Sequence, residues 1–169
     1  MPQPGDILVS SSGTLSAQGK NFSCSLGRGG VSHNKQEGDG TTPAGIFPLR
    51  KILYRPDRIS APLTRLSCAP IMPSDGWCDD PVHPSYNRPV IIPFSGSCET
   101  LWRGDHAYDL IVVIGYNDSP IVPGAGSAIF MHAKHPDGRP TEGCVALEQN
   151  NLIEIISGMD EETKIIISL

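Results

Sequence analysis

The stretch from Tyr108 to Tyr116, centred on LIVVIG, constrains the fold more than any other. Its successive residues are apolar, so a strand built from it has to be covered on both faces. The chain around it is rich in turn formers. Eighteen glycines and 16 prolines are scattered over 169 residues, which predicts many short strands joined by turns. Asp6–Ser10 and Gly13–Ser25 read as a hairpin. Ile46, Phe47, Leu49, Ile52 and Leu53 mark another strand, Ile129–His132 a further one, and Lys164–Leu169 the last. Glu99–Arg103 reads as a short helix or turn. Leu152, Ile153, Ile155 and Ile156 form the inward stripe of a short helix, with Gly158 as its C-cap. A single, mainly β domain over residues 1–169 is expected, with one or two short helices and a loop-rich insertion at about 54–98.

Composition removes several classes of function. A net charge of −5 with no run of Lys or Arg argues against nucleic acid or an anionic membrane as partner. No segment approaches the ~18 consecutive apolar residues of a membrane span. The amino terminus lacks a basic region followed by an apolar stretch, the pattern of a secretory leader. Five widely spaced cysteines in such a chain read as free thiols in a reducing compartment, so a cytoplasmic location is expected. Oligomeric state is not legible.

Chemistry concentrates in IFMHAKHPDGRPTEGCVAL, residues 129–147. A strand ends at His132, a polar loop follows, and Gly143-Cys144 re-enters apolar sequence. A thiolate is the attacking form of cysteine and a free thiol has a pKa near ~8.5, so an imidazole within reach is the usual activator. Gly143, without a Cβ, lets backbone approach a carbonyl and aims the Cys144 N–H at a developing oxyanion. Two blander readings stand beside this one. Free cysteine is commonly just buried, and His132, His135 and Cys144 could instead be three zinc ligands, although no Cys-x-x-Cys pair accompanies them. The loop KQEGDGTTPAG reads as a surface turn, with lining of a binding site as the alternative. In the insertion, Asp75–Asp80 and Tyr86-Asn87-Arg88 mix aromatics, carboxylates and a guanidinium, which suits either a zwitterionic ligand or a self-pinned loop. Asp79 and Asp80, adjacent in extended chain, point opposite ways and do not form a shared acid/base or metal site.

Four features together resemble the L,D-transpeptidase (YkuD-domain) family. GDGTTPAGIFPL is similar to its Gly-x-x-x-Thr-Pro-x-Gly-x-Phe segment, and SAIFMHA to the strand that ends in its first histidine. PTEGCVAL stands where the family has Ser/Thr-His-Gly-Cys, and the helix and strand after the cysteine agree in order and length. The resemblance runs from about Gly27 onward. DGWCDDP, YNR and LWR-x-D-x-x-YD resemble segments of a leaderless subgroup with L,D-carboxypeptidase-like members.

The resemblance implies a β-sandwich with the site in a cleft under a flexible loop, no cofactor and no metal. It implies acyl transfer on the stem peptide of peptidoglycan: Cys144 attacks, D-alanine leaves, a thioester forms, and His132 is the base, its other nitrogen held by a carbonyl near Ala133. Gly143 and Cys144 N–H groups are the expected oxyanion donors. Glu142, Trp77, Tyr86, Asn87, Arg88 and Arg103 are candidate contacts to a tetrapeptide or muropeptide, an Arg fork being suited to carboxylates.

The chain departs from the family pattern in three places. Glu142 replaces the histidine two residues before the cysteine, Ala146 replaces a polar residue two beyond it, and the loop from His132 is short. Hydrolysis of the thioester in cell-wall recycling is the first expectation and formation of 3→3 cross-links the second. A catalytically silent muropeptide-binding module is the third.

Overall fold

The computed structural model describes residues 1–169. Strands β1 (Ile7–Ser10), β2 (Thr14–Ala17) and β3 (Lys20–Ser25) form a meander. The expected two-strand hairpin is therefore three strands, because Gln18-Gly19 turns the chain with both residues at positive φ. Strands β4 (Val31–Ser32) and β5 (Thr42–Pro43) pair in parallel and close the glycine-rich loop between them. The ten-residue β6 (Gly45–Tyr54) follows, then β7 (Cys68–Pro70), β8 (Asp75–Cys78), β9 (Pro89–Ile91) and β10 (Cys98–Thr100). The body is completed by β11 (Leu110–Ile114), β12 (Phe130–Ala133), β13 (Val145–Leu147), α1 (Gln149–Ser157) and β14 (Lys164–Ser168).

Pairing runs β6-β11-β12-β13-β3-β2-β1-β14 and returns to β6, so the main sheet closes into a circuit, mainly β as expected. β6 makes this possible by its length. Gly45–Pro48 pairs with β14 and Leu49–Tyr54 with β11. Inside lies a core of 21 residues, including Leu110, Val112 and Ile114 of β11 and Leu152, Ile155 and Ile156 of α1. Ile153 is exposed, contrary to the sequence reading, because it falls off the stripe that faces the sheet. Gly158 caps the helix without the left-handed turn usual for glycine (φ −98°). A Cβ there would lie 2.1 Å from Gln18 Nε2, which instead donates to Ile155 O at 2.9 Å.

The other face of β11 presents Ile111 and Val113 to a second cluster built with Ile71, Trp77, Leu101, Tyr108 and Phe130. The insertion is thus the second cover that the doubly apolar strand demanded. It is less irregular than its sequence suggested, since β8, β9 and β10 form a sheet of their own. Glu99 and Thr100 lie on β10, opposite Trp77 and Gly76, so the segment read as helix or turn begins as a strand.

Candidate active site

β12 and β13 are parallel neighbours, with Met131 beside Val145 and His132 beside Ala146. Extending that register by one residue sets Cys144 beside Phe130. Cys144 and His132 therefore share one face, one strand across and two residues along. Both line a cavity of about 640 Å³ that also takes in Lys35, Glu37, Glu99, Arg103, Tyr108 and Glu142. The side chain opposite the imidazole is the methyl of Ala146, which leaves the ring room.

His132 is buried, and its Nδ1 donates to Ala133 O at 2.8 Å. A carbonyl only accepts, so Nδ1 carries the proton and Nε2 is the free lone pair. The Tyr108 ring packs edge-on against the imidazole, with centroids 5.2 Å apart. Burial outweighs the Ala133 hydrogen bond and holds the imidazolium pKa down to about 4. The thiol moves the other way. Burial first, then the Glu99 carboxylate, push Cys144 up to about 12, against the smaller opposing effects of the Phe130 N–H, Lys35 and Arg103. Cys144 Sγ donates to Ala128 O at 3.2 Å and accepts from Phe130 N at 3.4 Å. No hydrogen bond joins it to the imidazole, so the pair rests as neutral thiol and neutral ring.

Ala128 O reaches the sulfur because Ala128 sits in the left-handed region (φ 53°). The strain is held by Asn87, whose Oδ1 accepts from Ala128 N at 3.0 Å.

Gly143 is required by geometry: its φ is 139°, and a Cβ would lie 2.7 Å from Thr41 O. Its N–H, an expected oxyanion donor, is already engaged in this structure. The Gly143 N–H donates to Thr141 Oγ1 (3.1 Å), whose hydroxyl in turn donates to Cys144 O (2.7 Å). That leaves the Cys144 N–H, which makes no hydrogen bond within the chain, as the backbone donor open to an oxyanion.

The remaining sequence candidates separate. Arg103 and Glu142 border the cavity; Trp77, Tyr86, Asn87 and Arg88 do not. Tyr86 is buried, its hydroxyl donating to Glu37 and accepting from Gly126 N. Asn87 has all its capacity spent, accepting from Trp77 Nε1 and Ala128 N and donating to the Tyr116 and Asn117 carbonyls. Trp77 is buried edge-on against Phe130 at 5.1 Å. Arg88, with Trp77 and Asn87, borders a separate hollow of about 250 Å³ that Phe130 also lines. Trp77, Tyr86 and Asn87 pin the insertion to the body, whereas the Arg88 side chain is exposed. Arg103 is held bidentately by Asp105 (2.8 and 2.5 Å) with its guanidinium 5.0 Å from the Tyr108 ring centre.

Glu142 is mostly exposed and paired with Arg28 Nε at 3.0 Å. The carboxylate that acts on the thiol is instead Glu99, which burial raises to about 7 and which accepts from the Tyr108 hydroxyl at 3.2 Å. Of the zinc alternative, His135 is turned to Asp137 at 2.8 Å, and no three potential ligands gather. The loop KQEGDGTTPAG lines the site through Lys35, Glu37 and Gly38, and does more than turn the chain. Lys35, Glu37, Glu99 and Thr141 are the site residues that sequence reasoning missed. Only the loop's own glycine pattern pointed toward the first two.

No curated protein matches the chain. Among solved structures, the helical cell shape determining protein Pgp2 from Campylobacter jejuni is similar at 16% identity and a TM-score of 0.46, over 95% of this chain and 46% of that one. The Mycobacterium tuberculosis L,D-transpeptidase 1 is similar at 14% identity and a TM-score of 0.43, over 97% of this chain and 61% of that one. This chain therefore spans about half to three-fifths of their length. The sequence profile of the YkuD L,D-transpeptidase catalytic domain matches residues 7–167, nearly the whole length. A mainly β chain whose paired strands carry Cys144 and His132 on one face belongs, by that match, to the YkuD L,D-transpeptidase catalytic domain family.

Proposed function

We propose that the protein is a cysteine acyl-transfer enzyme that removes the terminal D-alanine from peptidoglycan stem tetrapeptides. The observation that carries this reading is the shared cavity in which Cys144 Sγ sits at a strand end and His132 offers an unprotonated Nε2. The thiol leaves Ala128 O and turns to the cavity. Its sulfur then adds to the carbonyl of the stem's third residue, its proton passes to Nε2, and the carbonyl π pair moves onto oxygen. The tetrahedral adduct collapses with cleavage of the C–N bond. His132 returns its proton to the departing amine, leaving a thioester. Water, deprotonated by the same Nε2, resolves it to tripeptide.

Hydrolysis is ranked before transfer to a second stem because five free cysteines fit a reducing compartment, the cytoplasm, where soluble muropeptides from wall recycling are the accessible substrate. Arg103, a bordering guanidinium, suits a substrate carboxylate.

The test is incubation with a disaccharide tetrapeptide, with and without an amine acceptor, followed by mass analysis. Tripeptide plus D-alanine is expected, abolished by Cys144→Ala and cut at least ~100-fold by His132→Ala. Mostly cross-linked dimer would make the protein a transpeptidase instead. Tight binding with no turnover would make it a muropeptide-binding module.

A further inference from the structure

Lys35 is an ion in an unusual place. Its side chain is 3% exposed, yet it borders the cavity that holds Cys144. The chain makes room for it with two glycines at positive φ, one against the stem and one against the head. A Cβ on Gly126 (φ 114°) would lie 2.8 Å from Lys35 Cε, and one on Gly143 (φ 139°) would lie 3.3 Å from Nζ. Side chains are rarely tolerated at either φ, and any there would obstruct the lysine. That arrangement delivers Nζ against the residue that precedes the nucleophile.

The ammonium is also anchored. Nζ donates to Asp39 Oδ1 at 3.1 Å and weakly to Gln36 O at 3.5 Å. Burial works against the Asp39 charge, but hydrogen bonds from the Thr41 and Gln36 N–H groups, the Thr41 hydroxyl and Lys35 itself hold its pKa well below the usual range. The partner therefore stays ionised. An ammonium has three N–H bonds, so one remains for the cavity. Meanwhile the site lacks a donor. The Gly143 N–H is spent on Thr141, and Glu142 occupies the position before the Gly-Cys pair with a carboxylate that cannot stabilise negative charge.

We propose that Lys35 supplies the second donor of the oxyanion hole, its ammonium joining the Cys144 N–H on the tetrahedral oxygen. This rests on the acyl-transfer reading above but not on the identity of the acyl donor. Its cation replaces a neutral backbone donor, and a charge-assisted hydrogen bond is the stronger kind.

The test uses Lys35→Met and Lys35→Gln, two substitutions of similar length, so that either one that folds by its thermal melt decides the question. Two reactions of Cys144 are followed by peptide mass spectrometry. Acylation by p-nitrophenyl acetate passes through an oxyanion, whereas alkylation by iodoacetamide does not. Acylation is expected to fall about 100- to 1,000-fold, alkylation less than about tenfold, and Lys35→Arg is expected to recover part of the loss.

An equal fall in both reactions would show that the lysine serves only the thiol or the fold, and would overturn the proposal. So would acylation that stays near the wild-type rate, or a wild-type Cys144 that the ester does not acylate. A protein inert toward tetrapeptide, yet acylated by the ester in a Lys35-dependent way, would sink the substrate assignment and leave the oxyanion role intact.

Discussion

Burial shifts the two reacting groups in opposite directions, the Cys144 thiol to about 12 and the His132 imidazolium to about 4. A thiolate–imidazolium pair is therefore disfavoured at rest, and proton transfer has to accompany attack. The base must be neutral to accept that proton, and it is neutral above its folded pKa. The acid limb of kcat/KM is accordingly expected near pH 4, well below that of an unperturbed histidine; a limb near 6.5 would show that the ring is solvated in the working enzyme. Glu99 gives a second prediction. Its carboxyl ionises as pH rises through about 7, and the charge then opposes thiolate formation. Glu99→Gln should raise the alkylation rate of Cys144, read by mass spectrometry, increasingly above that pH. Its folded pKa lies above the unfolded value near 4.5, so the burial it enjoys when neutral stabilises the protein below that pH and is lost as pH rises through 7. The variant's melting temperature should consequently fall less than that of wild type between pH 5 and 8.

Among the elements, strands whose two faces differ in fate were the readable ones. β11 announced its double burial in an unbroken apolar run, and β12 announced the site because a histidine followed apolar residues at its end. Cys144 and His132 were legible because their chemistry is rare and the spacing short. Trp77, Tyr86 and Asn87 lie away from the cavity and meet the chain itself, which sequence could not show because polar groups look alike whether they meet a ligand or the chain; only partner geometry separates the two. Lys35 and Glu99 were missed because each reaches the cavity from a distant segment. Asn87 makes this distinction testable. Its side chain closes four hydrogen bonds and holds Ala128 in its strained conformation. Asn87→Ala should lower stability by at least about 1–3 kcal/mol in a denaturant titration. It should also lower kcat, through loss of the Ala128 carbonyl that orients the thiol, with KM little changed. A large rise in KM alone would restore Asn87 to the substrate contacts.

At the scale of the whole molecule, the insertion with the segment that follows it and the closed circuit share a hydrophobic cluster, with Trp77, Leu101 and Tyr108 on one side and Ile111, Val113 and Phe130 on the other. Neither side buries that surface alone, so the two should unfold together. Trp77 lies in the insertion and Trp102 in the segment that follows it, whereas most backbone hydrogen bonding of the sheet belongs to the circuit. Tryptophan fluorescence and far-ultraviolet circular dichroism should thus give coincident urea midpoints. An earlier fluorescence transition would mean the insertion opens by itself, as a lid would.

The long strand β6 is flanked at its start by β14, a segment that leaves the ribosome only after almost everything else described above. Until then the Gly45–Pro48 margin, with Ile46 and Phe47, and the matching margin of β1 stand without neighbours. A nascent chain is accordingly a sheet with two loose borders, the form most prone to join a second copy of itself. Its danger of sticking is greatest during manufacture and falls once β14 has paired with both borders.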